Sequence, residues 1–313
     1  IAAYDKWSMA LTDNNSVYIW GWDTCGRKLT IGEMISVPFK IKSDYFINEK
    51  VIQIEAGSLL FALTDNNKLY SCFYSTGAKI YDVELDDDDE KIVKISSTEY
   101  VLLVLTNKGN LYHCNTHIEI SQKLKRYVLN KMDTDNIMDI SAGENHSLIV
   151  VHPSKVYKWE ISKYLINDDD YESDELSRIG KLIQPYSQSK SYEKLKNYPK
   201  FIVKCFCGSH QSFLIDKSGQ VYTFGKDDQG QWGLGKFYNG TPHYRMENHQ
   251  FDHESVTFIC GGLNNSFAIT QSGKLFAWGC NYFGQLGLGN YISVNVPHQC
   301  VIGSDDNKDE INN

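Results

Sequence analysis

Proline is scarce in this chain, with 6 residues in 313, and no apolar run approaches the ~18 residues that a membrane-crossing helix needs. The first shortage leaves extended segments free to pair; the second argues against a membrane span. Basic residues are outnumbered 31 to 39, a formal charge of -8, and nucleic-acid binders normally carry the opposite excess, so nucleic acid is not the expected partner. Eight cysteines are too few for a disulfide scaffold, which favours free thiols and a cytoplasmic or nuclear location. No basic stretch followed by an apolar one opens the chain, so no signal peptide is visible; the first residue, Ile1, fits a piece of a longer protein.

Catalytic and cofactor signatures are missing too. There is no GxSxG elbow and no HExxH. Cys205 and Cys207 form CxC rather than the CxxC pairs of a zinc site. The glycine-rich GQWGLG and GQLGLG segments lack the trailing Lys-Ser/Thr of a phosphate loop. Asp168, Asp169 and Asp170 lack the glycine and closing glutamate of a calcium loop. No enzyme activity, metal or cofactor is expected.

What is present is a repeat. Six segments align without a gap: WSMALTDNNSVYIW (from Trp7), LLFALTDNNKLYSC (Leu59), VLLVLTNKGNLYHC (Val101), HSLIVVHPSKVYKW (His146), QSFLIDKSGQVYTF (Gln211) and NSFAITQSGKLFAW (Asn265). A first strand ends at Thr12, Thr64, Thr106, Val151, Asp216 and Thr270. Six residues later stands an aromatic, Tyr18, Tyr70, Tyr112, Tyr157, Tyr222 or Phe276, and two further on Trp20, Cys72, Cys114, Trp159, Phe224 or Trp278. Alternating apolar residues around turns rich in Asn, Asp and Gly predict β-hairpins. A hairpin cannot bury its apolar face alone; repeats of ~40–50 residues with strand character stack as propeller blades. Trp20, Trp159, Phe224 and Trp278 are therefore expected in the core.

Beyond the hairpin, WGWDTCGRKL, FGKDDQGQWGLG and WGCNYFGQLGLG place Asp23, Asp227 and Asn281 at one offset, where a side chain can tie a turn. Gly143, Gly208 and Gly262 share another position, eight residues before the strand end, suited to positive φ or close backbone approach. His146 occupies a column filled elsewhere by Gln211 and Asn265, so a structural hydrogen bond is expected of it rather than catalysis.

GENHSLIVV, GQVYTFGKDDQGQWGLG and GKLFAWGCNYFGQLGLG resemble the repeat of the RCC1 (regulator of chromosome condensation) family, and the likeness runs from about Trp7 to about Val301. The resemblance implies an all-β fold, a propeller of four-stranded antiparallel blades. Six repeats are readable, so six or seven blades are open; the residues before Thr12 and after Thr270 add up to about one more repeat, so the termini could share a blade. The expected organisation is one domain over residues 1–303, with insertions near 115–136 and 162–200, and a disordered acidic tail at 304–313. The resemblance implies a non-enzymatic scaffold binding a protein partner through one face and its loops. Its founding members also imply two alternatives: nucleotide exchange on a Ran-type small GTPase, and chromatin association. The candidate interaction residues are Asp23, Asp227 and Asn281 on one rim and Asp168, Asp169 and Asp170 in the long insertion.

Overall fold

The structure is a computed structural model and describes residues 2–4, 7–22, 34–41, 46, 49–57, 60–73, 77–81, 85, 89–97, 101–115, 130–131, 136–144, 146–152, 155–160, 201–236 and 244–300. It comprises two compact units, Ile1–Gln184 and Pro185–Asn313.

In the first unit, strands run in chain order through four antiparallel sheets. These are β1 (Ala2–Tyr4), β2 (Trp7–Leu11), β3 (Val17–Trp22) and β4 (Met34–Lys40); β5 (Val51–Ala56), β6 (Leu60–Thr64), β7 (Leu69–Phe73) and β8 (Gly77–Tyr81); β9 (Ile92–Ser97), β10 (Val101–Thr106), β11 (Leu111–Asn115) and β12 (Asn130–Lys131); and β13 (Ile137–Ala142), β14 (His146–Val151) and β15 (Lys155–Glu160). The second unit holds β16 (Ile202–Cys207), β17 (Gln211–Asp216), β18 (Val221–Gly225) and β19 (Tyr244–Arg245), then β20 (Val256–Gly261), β21 (Asn265–Thr270), β22 (Leu275–Gly279) and β23 (Val294–Gln299). The predicted hairpins are the second and third strands of every sheet. The idea of a blade shared by the termini is corrected: β1 pairs with β2 and β23 with β22, so each end completes its own sheet.

The five hairpin turns that are fully described each use one residue with positive φ. Asn15 (60°), Asn67 (63°), Gly109 (75°), Gly219 (82°) and Gly273 (89°) supply it at one aligned position. The preceding residues close the same pair of bonds each time: Asn67 N donates to Thr64 O and Thr64 N to Lys68 O, as Gly109 and Thr106 do with Asn110. This is a tight turn followed by a left-handed residue, whose twist suits paired strands.

The same residue latches the next sheet. Asn15 Nδ2 donates to Val51 O at 3.0 Å, Ile92 N to Asn67 Oδ1 at 2.6 Å, and Ile137 N to Gly109 O at 3.2 Å. In the second unit Val256 N donates to Gly219 O at 3.3 Å. Every latch reaches the start of a first strand, and all five first strands from β5 onward that describe this start carry a bulge at their second residue, where the register skips one position.

A carboxylate, fully or partly buried, supports most of these turns. Two residues before β5, Glu49 accepts from Thr64 Oγ1 (2.9 Å), Tyr70 OH (3.2 Å) and Lys68 Nζ. Two residues before β9, Glu90 accepts from Thr106 Oγ1, Asn110 Nδ2 and Tyr112 OH. Glu254 does the same before β20, taking Ser272 Oγ and pairing with Lys274 at 2.9 Å. Burial pushes the Glu49 carboxyl up, but the donors of Lys68, Thr64 and Tyr70 outweigh it and hold it below the ordinary range. Before β16 the corresponding position is Lys200, and the carboxylate has moved onto the turn itself: Asp216 replaces the threonine and accepts from Tyr222 OH at 3.2 Å.

The core lies between successive sheets. Met9, Val17 and Ile19 meet Val51, Ile54 and Tyr70; Phe61 and Leu63 meet Ile95 and Val104; Leu103 and Leu111 meet Ile140 and Ile149. In the second unit Phe213, Ile215 and Val221 meet Ile259, Phe276 and Trp278. Face-to-face stacking thus buries what a single hairpin leaves exposed. Of the predicted aromatic column, Phe224 and Trp278 are buried, whereas Trp20 is only half-buried; the Trp159 side chain lies outside the described residues.

First strands also meet through polar side chains. The Gln53 amide clasps the next strand, Nε2 donating to Ile95 O (2.8 Å) and Oε1 accepting from Ile95 N (3.1 Å). Lys94 reaches Asp139 at 2.6 Å. Beside them burial lifts Glu55 from 4.5 to about 7, against the opposing pull of Lys94 and the Gln53 amide. Between these two values the folded chain holds a proton that the unfolded chain has released, so stability falls as pH rises through that window. Glu55 keeps some access to solvent, which sets the loss at about 1–3 kcal/mol. Melting temperatures from pH 4.5 to 7 should decline less in Glu55→Gln than in the parent; parallel curves would rule this origin out.

Candidate protein-interaction loops

The glycine-rich segments after the last two hairpins fold alike. Asp227 Oδ1 accepts from Trp232 N and Asn281 Oδ1 from Leu286 N, both at 2.9 Å. Gly230 and Gly284 take positive φ, and Gly233 N and Gly287 N donate back to their carbonyls. Gln231 Oε1 accepts from Gln229 N, as Gln285 Oε1 does from Phe283 N.

This corrects the reading of Asp227 and Asn281 as partner contacts. Both are buried, and their polar atoms hold the loop from inside. The side chains turned to solvent are their neighbours: Lys226 and Asp228, ion-paired at 2.8 Å, in one loop, and Tyr282 and Phe283 in the other. The Lys226 ammonium holds the Asp228 carboxyl below its usual value. Asp23, Asp168, Asp169 and Asp170 lie outside the described residues.

The glycine column sits at a second turn. Gly143 N, Gly208 N and Gly262 N donate to the carbonyls of His146, Gln211 and Asn265. Gln211 then crosses to the next sheet, Nε2 donating to Gly262 O (3.1 Å) and Asn265 O (3.0 Å). His146 is buried in the equivalent place. Gly225 and Gly279, with φ near 100°, back onto the carbonyls of His210 and Asn264, leaving no room for a Cβ. The GQWGLG loop caps its neighbour: Gln231 O accepts from Trp278 Nε1 (2.8 Å) and Ser266 Oγ (3.0 Å), and a Cβ on Gly233 would press on the Trp278 indole.

Sequence reasoning missed the carboxylates Glu49, Glu90 and Glu254. Their common offset from the following strand was the available signal, but it lies outside the aligned hairpin. Among the described residues no group of three or more His, Cys, Asp or Glu could hold a metal ion, and no helix is long and apolar enough to cross a membrane, which says nothing of a β-barrel.

Six antiparallel meanders, each opening with a strand latched by the turn before it where both are described, belong to the β-propeller class. The solved structure of Prp20p from Saccharomyces cerevisiae superposes with a TM-score of 0.69 at 19% identity, covering 96% of this chain and 76% of that one, a likeness that establishes the fold. Two profiles of the "Regulator of chromosome condensation (RCC1) repeat" match residues 272–309 and 256–285. The human X-linked retinitis pigmentosa GTPase regulator is 29% identical over 164 residues, 52% of this chain and 15% of that protein. The human E3 ubiquitin-protein ligase HERC2 is 25% identical over 292 residues, 92% of this chain and 5% of that protein. The chain carries RCC1 repeats, matched over residues 256–309. It spans a small fraction of the length of these curated relatives.

Proposed function

We propose that this chain is a non-enzymatic scaffold that binds a protein partner through loops on one face, acting as one domain over residues 1–303 in the cytoplasm or nucleus. One observation carries the reading. The residues common to the repeats are engaged in holding the frame, while the solvent-facing positions between them differ, Asp228 and Gln229 in one loop against Tyr282 and Phe283 in the next. A constant frame with variable loops is how such folds acquire partners.

A second reading is nucleotide exchange on a Ran-type small GTPase. It is supported by Prp20p, whose structure is described with its binding to Gsp1p and histones, and by the name of the GTPase regulator above. Exchange would need a face that holds the nucleotide-free GTPase more tightly than the loaded one. Chromatin association has the weakest support, given the net acidic chain.

Two measurements separate these. Release of fluorescent GDP from a Ran-type GTPase is expected to be unchanged by micromolar chain; acceleration would replace the scaffold reading by exchange. Cross-linking in a cell extract is expected to capture a stoichiometric protein partner, lost when Lys226, Asp228, Gln229, Tyr282 and Phe283 are changed to serine with Asp227 and Asn281 kept. Absence of any such partner would remove the scaffold.

A further inference from the structure

The last sheet carries an apolar patch that its fold does not require. Phe283 is 87% exposed, Tyr291 72%, Ile292 68% and Tyr282 65%, with Leu263 on the adjoining turn at 59%. The preceding repeat builds the same loop with Asp228 and Gln229 in place of Tyr282 and Phe283, so loop geometry does not explain the aromatics.

The patch is rigid. Buried Asn281 binds its two halves together: Nδ2 donates to Asn290 O (2.9 Å) and Ile292 O (3.1 Å), and Asn281 N donates to Ser293 Oγ (3.0 Å). Tyr291 lies against the turn at Gly284, whose Cβ would sit 3.4 Å from its ring. Aromatic side chains, with two rotatable bonds each on an anchored backbone, lose little freedom on binding.

Three properties define the occupant. First, no Asp, Glu, Lys or Arg occurs from Leu275 to Cys300, in a chain that is 22% charged, so a charged ligand would find no counter-charge on this stretch. Second, rings of ~150–250 Å² each, partly covered, offer several hundred Å², short of the ≈ 800 Å² per partner of a standard interface; this suits a short segment better than a second folded copy. Third, the local backbone is already engaged. The amides of Phe283 and Ile292 donate to Gln285 Oε1 and Asn290 Oδ1, Gly284 N donates to Asn281 O, and the carbonyls of Asn290 and Ile292 take the Asn281 amide. A strand seeking ladder bonds gains little here. A proline-rich segment has few N–H groups to satisfy, places flat rings against aromatic faces, and can accept from the tyrosine hydroxyls.

We propose that Tyr282, Phe283, Tyr291 and Ile292 form a docking site for a short, uncharged, proline-rich segment of a protein partner. The site rests on the scaffold reading and gives it a place and a chemistry. Titration calorimetry of the full chain with an end-capped peptide of repeated Pro-Pro-Leu is expected to show saturable binding in the range of about 10–500 μM. Affinity should change less than about twofold between low and high salt, because no ion pair forms. Phe283→Ser with Tyr291→Ser should weaken it at least about tenfold while Val93→Ser, an exposed apolar side chain of the first unit, leaves it unchanged. The altered side chains are exposed, and an unchanged melting temperature checks the fold of the variants. Equal binding of a repeated Gly-Gly-Leu peptide would overturn the proline chemistry. So would Phe283-dependent binding to neutral phosphatidylcholine vesicles in its place, or a Phe283-dependent dimer in sedimentation. Absence of peptide binding, with partner capture from extract intact, removes this site and leaves the scaffold standing; failure of that capture removes the scaffold itself.

Discussion

Replacing Trp278 with alanine should lower stability by about 3–5 kcal/mol, the range for truncating a buried tryptophan. The indole is fully buried between two sheets, with Phe213 and Phe251 edge-on to it at 6.0 Å. Its Nε1 donates to Gln231 O, but that carbonyl also receives Ser266 Oγ. Losing the indole donor therefore does not orphan the acceptor, and most of the cost is the cavity. Trp278→Phe, which keeps much of the volume, should cost clearly less, about 1–2 kcal/mol. Urea unfolding of the three proteins measures both differences; equal midpoints for the parent and the alanine variant would show that the aromatic column is not core.

The second large effect is expected at Glu90. Its carboxylate, 2% exposed, accepts from Thr106 Oγ1 at 2.5 Å, Asn110 Nδ2 at 2.7 Å and Tyr112 OH at 3.1 Å. Alanine would leave several buried donors facing a gap. Orphaned donors cost about 1–3 kcal/mol each, partly recovered by entering water, so about 3 kcal/mol is expected in total. Tyr112→Phe removes one donor cleanly, and in a double-mutant cycle the pair should couple by about 1–2 kcal/mol. A Glu90→Ala protein within about 0.5 kcal/mol of the parent would mean that the turn stands without its carboxylate.

Much of the fold was legible because hairpins are local. The column from Thr12 to Thr270 and the Asn or Gly three residues later in five of its six members follow from turn stereochemistry, and the structure gives that position a positive φ in all five. The outer strands were not legible. β4 contains Pro38, and β12 and β19 are two residues long, too short to show a period. The bulged first strands escaped for another reason: an extra residue breaks the alternation that reveals a strand, so Ile52 and Val93 face outward where the pattern would bury them. The carboxylate anchors were hidden by exchange between sites, since Asp216 substitutes within the turn for an acid that Glu49 and Glu90 supply from outside it.

At the loops, the offset shared by Asp227 and Asn281 was visible, but sequence alone does not say whether a shared polar residue faces water or its own backbone. Their equivalence was itself the clue to the inward role, because a position kept the same across repeats serves what the repeats share. Tyr282 and Phe283 stand out only once the loop is known to close without them.

The latch from a described turn to the next first strand always points forward along the chain. Asn15 steadies the sheet that follows it, Asn67 and Gly109 do likewise, and Gly219 repeats the arrangement further on. In each described case the turn's own residue is bonded to the first strand of the sheet that follows it. Because a hydrogen bond holds both of its partners, loosening either sheet weakens the joint, and duplicating a unit in tandem supplies both a holder and a thing held. Growth by copying whole repeats carries such a joint along with each copy.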